Sequence, residues 1–122
     1  MKRLLISLLV AAHPAAAQSF GSRTHFTEAG GREIYSGICA GCHMADGRGA
    51  VGAGAYPALA QDARLADPAY PIAMVLHGAG AMPGFAATLS DRQVAEVVAY
   101  IRTHFGNAYA RTPTEADVHA AR

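Results

Sequence analysis

Cys39-Ala40-Gly41-Cys42-His43 is the run of this 122-residue chain whose reading decides the fold. Two thiols three residues apart share one helical turn, and each can add across a vinyl group of a porphyrin. The histidine that follows at once is then carried under the iron as an axial ligand, so C-x-x-C-H reads as a site of c-type haem attachment. Cys39 and Cys42 are the only cysteines in the chain. Three other readings compete for such a match: a thioredoxin-like C-x-x-C, half of a zinc site, and chance. The attachment reading requires a second axial ligand and an oxidising compartment from elsewhere in the chain.

The compartment is written at the N-terminus. Lys2-Arg3 is a basic stretch, Leu4 to Ala12 is apolar, and Ala15-Ala16-Ala17 supplies small residues for cleavage. This is the pattern of a secretory signal peptide over residues 1–17, too short to span a bilayer. A buried N-terminal helix would instead need polar residues at helical spacing, and only Ser7 is offered between Leu4 and Ala12. No cysteine directly follows Ala17 to take a lipid at the cleavage site, and no other stretch approaches the ~20 apolar residues that cross a membrane. The expectation is an exported, periplasmic protein with no stable membrane anchor of its own.

Lys2, the only lysine, and Arg3 leave with that peptide, so eight of the ten basic residues face nine acids. The balance is close to neutral. No basic run and no basic patch interleaved with aromatics is present, which argues against nucleic acid and anionic membrane surfaces as partners.

The rest reads as one small domain: a loose leader over 18–26, a folded unit over 27–106, and a frayed or docked tail over 107–122. Thr27 is placed to cap a helix with Glu28 in its first turn, running through Ile34, Tyr35 and Ile38 into the cysteine turn. Gly30-Gly31 weakens its start. Asp46 to Ala55 is Gly-rich and predicts an irregular loop. Large apolar residues are sparse from Gly47 to Leu59, so this segment packs poorly on itself but can wrap a large flat apolar ligand. Disorder is the competing reading, and Tyr56-Pro57-Ala58-Leu59 gives the loop a foothold.

Asp67-Pro68 is a helix start, complicated by Pro71, which at the fourth helical position loses a backbone bond. Either that helix begins at Tyr70 or its first turn is irregular. Ile72, Val75 and Leu76 follow at helical spacing, and Gly78 suits its C-terminus. Ser90-x-x-Gln93 is a capping box. After it Val94, Val97, Val98, Ile101 and Phe105 repeat at helical spacing, with Gly106 at the expected stop. No stretch alternates as a strand does. The fold class is all-α.

A second ligand should sit far from His43 on a loop able to reach across a porphyrin. Met82, in Gly80-Ala81-Met82-Pro83-Gly84, meets that condition with a soft neutral thioether; its competing role is ordinary core packing. Met44 follows His43 directly and points from the same side. Met74 lies mid-helix, where core is the expected role. His77 lies near a helix C-terminus, where a cation suits the dipole, and offers a bis-His alternative. His25, His104 and His119 read as surface residues.

Together, Cys39 to His43, Tyr56-Pro57-Ala58-Leu59, Leu76-His77-Gly78, Ala81-Met82-Pro83-Gly84-Phe85 and Leu89-Ser90-Asp91 with its helix resemble a class I bacterial cytochrome c. The likeness runs from about Thr27 to Gly106 and is nearest to the single-haem domains that accompany alcohol and aldehyde dehydrogenases. It implies the cytochrome c fold, a few helices wrapped around one covalently bound haem c. It implies thioethers at Cys39 and Cys42, His43 as proximal and Met82 as distal iron ligand. It also implies that the carbonyl of Pro57 accepts a hydrogen bond from the proximal imidazole. Gly31 and Tyr35 match the small and aromatic residues that cross the last helix, here near Val97 and Tyr100; for them, as for Pro57, simple packing fits equally. The family's mitochondrial members ring the haem edge with lysines, and this chain departs from them. A mostly apolar contact around Met82, Pro83 and Phe85 suits it better. Arg48 and Tyr56 are candidates for the haem propionates, with a solvated Arg48 the plainer alternative.

The resemblance implies an electron-transfer protein rather than an enzyme. It would take single electrons from a dehydrogenase, as partner or subunit, and pass them to an oxidase or another respiratory acceptor. The alternatives are a haem sensor or peroxidase-like protein with a labile Met82, and a thiol oxidoreductase using Cys39 and Cys42. The last needs a βαβ context, and no strand precedes Cys39. A structural zinc site needs four ligands and lacks a second clustered pair.

Overall fold

A computed structural model describes residues 25–122; the expected signal peptide and residues 18–24 of the leader lie outside them. Among the described residues the chain forms helices, loops and two isolated bridges, with no strand. The all-α expectation holds.

The first helical stretch is continuous but changes pitch. α1 (Gly31–Ile34) passes into a π-helical turn (Tyr35–Cys39) and then into α2 (Ala40–His43). Thr27 does not cap it. Gly30 is the N-cap, with φ 90°, and its N–H donates to Glu96 Oε2 at 2.9 Å. A Cβ on Gly31 would lie 2.2 Å from the Glu96 carbonyl oxygen and 2.7 Å from Tyr100 Cβ. The two glycines therefore do not weaken the start. They make it, by letting the backbone touch the last large helix. The wide turn after it is of the kind often found where helices carry functional groups, and no sequence pattern foretold it.

A 3₁₀ turn (Ala63–Ala66), capped by the Asp62 carboxylate, leads towards α3 (Ala69–His77). Asp67 Oδ1 accepts the Ala69 N–H at 3.0 Å. Pro71 is the third residue of this helix, where the backbone N–H would have no partner inside the helix, so it costs no bond. Ile72, Val75 and Leu76 are buried, and Gly78, with φ 72°, ends the helix.

In α4 (Asp91–Thr103) the capping box forms as expected: Ser90 Oγ accepts from Gln93 N at 3.2 Å, and Ser90 N donates to Gln93 Oε1 at 2.9 Å. Val94, Val97, Val98 and Ile101 face the core. The helix stops at Thr103, short of Phe105, which is a correction to the periodic reading. Phe105 and Gly106 both take positive φ, 59° and 81°. This reverses the chain so that the Phe105 ring lies 4.9 Å from that of Tyr35.

The tail is docked. α5 (Glu115–His119), with its own Thr114–Asp117 capping box, packs on α4 and buries Val118 completely. Arg102 is the anchor beneath it. Only 1% exposed, its guanidinium donates to the carbonyls of Leu65 (2.7 Å), Ala66 (2.9 Å) and Arg111. Asn107, also buried, ties Leu59 and Ile101 carbonyls at 2.8 Å each and receives the Asp62 N–H at 3.1 Å.

Candidate cofactor-binding site

The cysteine turn is held from behind by Tyr35. Its hydroxyl donates to the Met44 carbonyl at 2.7 Å, and burial pushes its pKa up to about 12, so it stays a donor. Met44 takes φ 64° and breaks the helix directly after His43. His43 is buried, with Nδ1 2.9 Å from the Pro57 carbonyl oxygen. A carbonyl only accepts, so Nδ1 donates this bond and Nε2 is the ring nitrogen not engaged by it.

The Gly-rich segment is a folded loop hung from the end of that turn. Gly49 N–H donates to His43 O (3.0 Å), Ala50 N–H to Cys42 O (2.9 Å) and Tyr56 N–H to Ala50 O (2.9 Å), with a bridge between Val51 and Ala55. A Cβ at Gly49 would lie 2.2 Å from the Tyr56 carbonyl oxygen. The loop thus brings Pro57 over His43 while leaving Val51 and Tyr56 exposed.

Met82 is set by a tight turn in which Ala79 and Met82 exchange backbone bonds of 3.1 and 3.0 Å. The loop presses on the end of α3: a Cβ on Gly78 would lie 2.3 Å from Met82 O, and one on Gly84 2.7 Å from Leu76 O.

These parts enclose one cavity of about 900 Å³, of a size that holds a large organic ligand. Cys39, Cys42, His43, Pro57 and Met82 all line it, among Ile38, Val51, Leu59, Leu65, Val75, Phe85, Val97 and Ile101. Burial, and then the neighbouring Cys42, push the Cys39 thiol up to about 11, which disfavours its thiolate at neutral pH. No group of three or more His, Cys, Asp or Glu side chains among the described residues can hold a metal ion on its own.

Several rivals are placed elsewhere. His77 is exposed, with Nε2 3.1 Å from the Ala121 carbonyl oxygen, and it does not line the cavity. Met44 is exposed, and Arg48 lies outside the cavity, 3.7 Å from Asp46. Met74, expected in the core, instead lines the cavity and is only half-buried. The sequence reading missed Arg64. It is the one Arg or Lys lining the cavity among the described residues, and it pairs in fork geometry with Asp62 at 2.9 Å beside the Tyr70 ring. The Asp62-x-Arg64 spacing carries no signal that distinguishes this pair from an ordinary surface pair.

The lining suits haem: an apolar chamber with two thiols and an imidazole from one helical stretch and a thioether from a distant loop. Comparison with known proteins agrees. Residues 27–101 match the family model described as cytochrome C oxidase, cbb3-type, subunit III. The cytochrome c6 of Thermosynechococcus vestitus is 36% identical over 100 residues, covering 80% of this chain and 82% of that protein. The cytochrome c subunit of the quinone alcohol dehydrogenase of Gluconacetobacter polyoxogenes is 37% identical over 101 residues, 72% of this chain and 21% of that subunit. The fructose dehydrogenase cytochrome subunit of Gluconobacter japonicus is 33% identical over 101 residues, 70% of this chain and 21% of that subunit. The chain therefore spans only a small part of these last two relatives. Cytochrome c6 of the diatom Phaeodactylum tricornutum is a solved neighbour with a TM-score of 0.49, 28% identical over 75% of this chain and 94% of its own. The match over residues 27–101 and the 36% identity across 82% of the Thermosynechococcus cytochrome c6 make this chain a member of the cytochrome c family, with covalently bound haem c as its cofactor.

Proposed function

We propose that this chain carries single electrons outside the cytoplasm, from a dehydrogenase to a respiratory acceptor. The observation that carries the reading is the meeting of Cys39, Cys42, His43 and Met82 on one apolar cavity, with His43 Nδ1 bound to the Pro57 carbonyl. Haem c, when bound, supplies an iron that changes oxidation state by one electron. Cys39 and Cys42 would hold it covalently. His43 Nε2 would bind its iron, with the Pro57 carbonyl fixing the imidazole ring and raising its basicity. Met82 would bind the iron too, and its neutral thioether would raise the reduction potential. Arg64 and Tyr56, which line the cavity, would meet its propionates. The mostly apolar lining suits a large flat apolar group that gains and loses charge without binding substrate.

A dehydrogenase as donor is supported by relatives that are named as dehydrogenase cytochrome subunits, and an oxidase or another respiratory acceptor would complete the path. Residues 27–106 form the haem-binding unit and 107–122 its docked tail. Export to the periplasm rests on the N-terminal pattern; among the described residues no helix is long and apolar enough to cross a membrane. Docking would be mostly apolar, around Met82, Pro83 and Phe85 and edged by an arginine or two, since Lys2 is the only lysine of the sequence. Met82→Ala tests the ligation. The variant should keep its haem but turn high-spin, bind carbon monoxide when reduced, and show a lower potential. A low-spin His/Met spectrum in that variant would sink the assignment.

A further inference from the structure

The loop that carries Met82 begins after His77 and ends at Phe85, and the chain's last residues grip both ends. At the entry, His77 Nε2 donates to the Ala121 carbonyl at 3.1 Å. At the exit, the Arg122 guanidinium donates to the Leu89 carbonyl at 2.8 Å and to that of Ala86, while its Nε meets Asp91 Oδ1. His119 approaches the other oxygen of the same carboxylate at 3.2 Å. Between these grips the loop has little slack. Phe85 N–H is bound to Val75 O at 2.9 Å and Ala86 N–H to Leu76 O at 3.2 Å. Gly84 lies so close that a Cβ there would sit 2.7 Å from Leu76 O. Moving the loop as a body would pull on His77 at one end and on the Ala86–Leu89 segment at the other.

We infer that residues 119–122 act as a clamp on the Met82 loop, with Arg122 as its positioning residue, so that a segment beyond the family match at residues 27–101 sets how firmly the thioether holds the iron. A planar guanidinium with several fixed donors suits this role, because it can bind two carbonyls and a carboxylate at once, which an ammonium on a flexible stem does less well. The inference rests on Met82 being the ligand.

Imidazole, which competes with Met82 for the iron, is the probe, titrated into the full-length haem-loaded ferric protein at fixed pH. Arg122→Ala should bind imidazole about fivefold more tightly than the unaltered protein, the factor that one hydrogen bond of ordinary net strength is worth. Arg122→Lys should fall between them. Arg111→Ala, which removes a tail ion pair with Asp117 (3.1 Å) but touches neither grip, should lower thermal stability and leave imidazole affinity unchanged. If Arg122→Ala fails to accumulate, Arg122→Gln replaces it with the same expectation. Equal imidazole affinity in the Arg122 variants and the unaltered protein would overturn the clamp alone. A missing His/Met spectrum in the unaltered protein would overturn the clamp and the ligation together, and that spectrum is read first.

Discussion

The turn that carries Cys39, Cys42 and His43 continues a helix laid backbone-to-backbone on α4, whereas Met82 sits on a short loop held at its two ends. The first is fixed by packing: Gly31 against Glu96 and Tyr100, and the Tyr35 ring 5.6 Å from that of Tyr100. The second is fixed by backbone bonds to α3 and by a tail that folds back from far along the sequence. On the proposed ligation, the two ligands of one iron would thus depend on different parts of the molecule. The side proposed to bear the covalent bonds is built into the core, and the side proposed to set the potential is suspended from the periphery.

Cys42→Ala attacks the packed side at its chemistry and should have the largest effect, loss of stable haem attachment. Haem extraction into acidified organic solvent measures it, and full retention would mean that Cys42 forms no thioether. Gly31→Ala attacks the same side through packing. Its Cβ would lie 2.2 Å from a backbone oxygen, so helices must separate, at a cost of about 2 kcal/mol in chemical unfolding. The potential should shift much less than in Met82→Ala; a comparable shift would erase the contrast between the two sides.

The smallest effect concerns pH. Arg92 above all, with help from the Gly30 N–H, holds the Glu96 carboxyl below its ordinary range. A carboxyl so lowered adds stability that is complete above the unfolded value of about 4.3 and is lost as pH falls below it and through the lowered folded-state value. Glu96→Gln should therefore narrow the gap in denaturation midpoint between neutral pH and about pH 3.5. An unchanged gap would detach Glu96 from the α1–α4 contact.

What could be read from sequence was local. Cys39-x-x-Cys42-His43 and the Ser90–Gln93 box each declare themselves within one helical turn, and the Met82-Pro83 loop within five residues. The misplaced features were decided at a distance. The first helix begins at Gly31 because Glu96 takes the Gly30 N–H, a contact spanning most of the domain. The last large helix ends before Phe105 because that ring is drawn back towards Tyr35, against its helical spacing. Met74 and Arg64 reach the cavity through the path of the chain between Asp62 and α3, which no periodicity encodes.

The buried guanidinium of Arg102 has a consequence for how the molecule opens. Its charge meets three carbonyls from two stretches, residues 65–66 and residue 111, and has no ion-pair partner among the described residues. Stripping one carbonyl away leaves a desolvated cation short of partners, which is costly, so partial release is disfavoured. The lead-in to α3, the end of α4 and the segment into α5 should therefore breathe as one body. Amide exchange at Tyr109, whose N–H is bound to the Arg102 carbonyl at 3.0 Å, and at Leu65 should then share a single opening free energy. Distance along the chain would count for nothing in that motion.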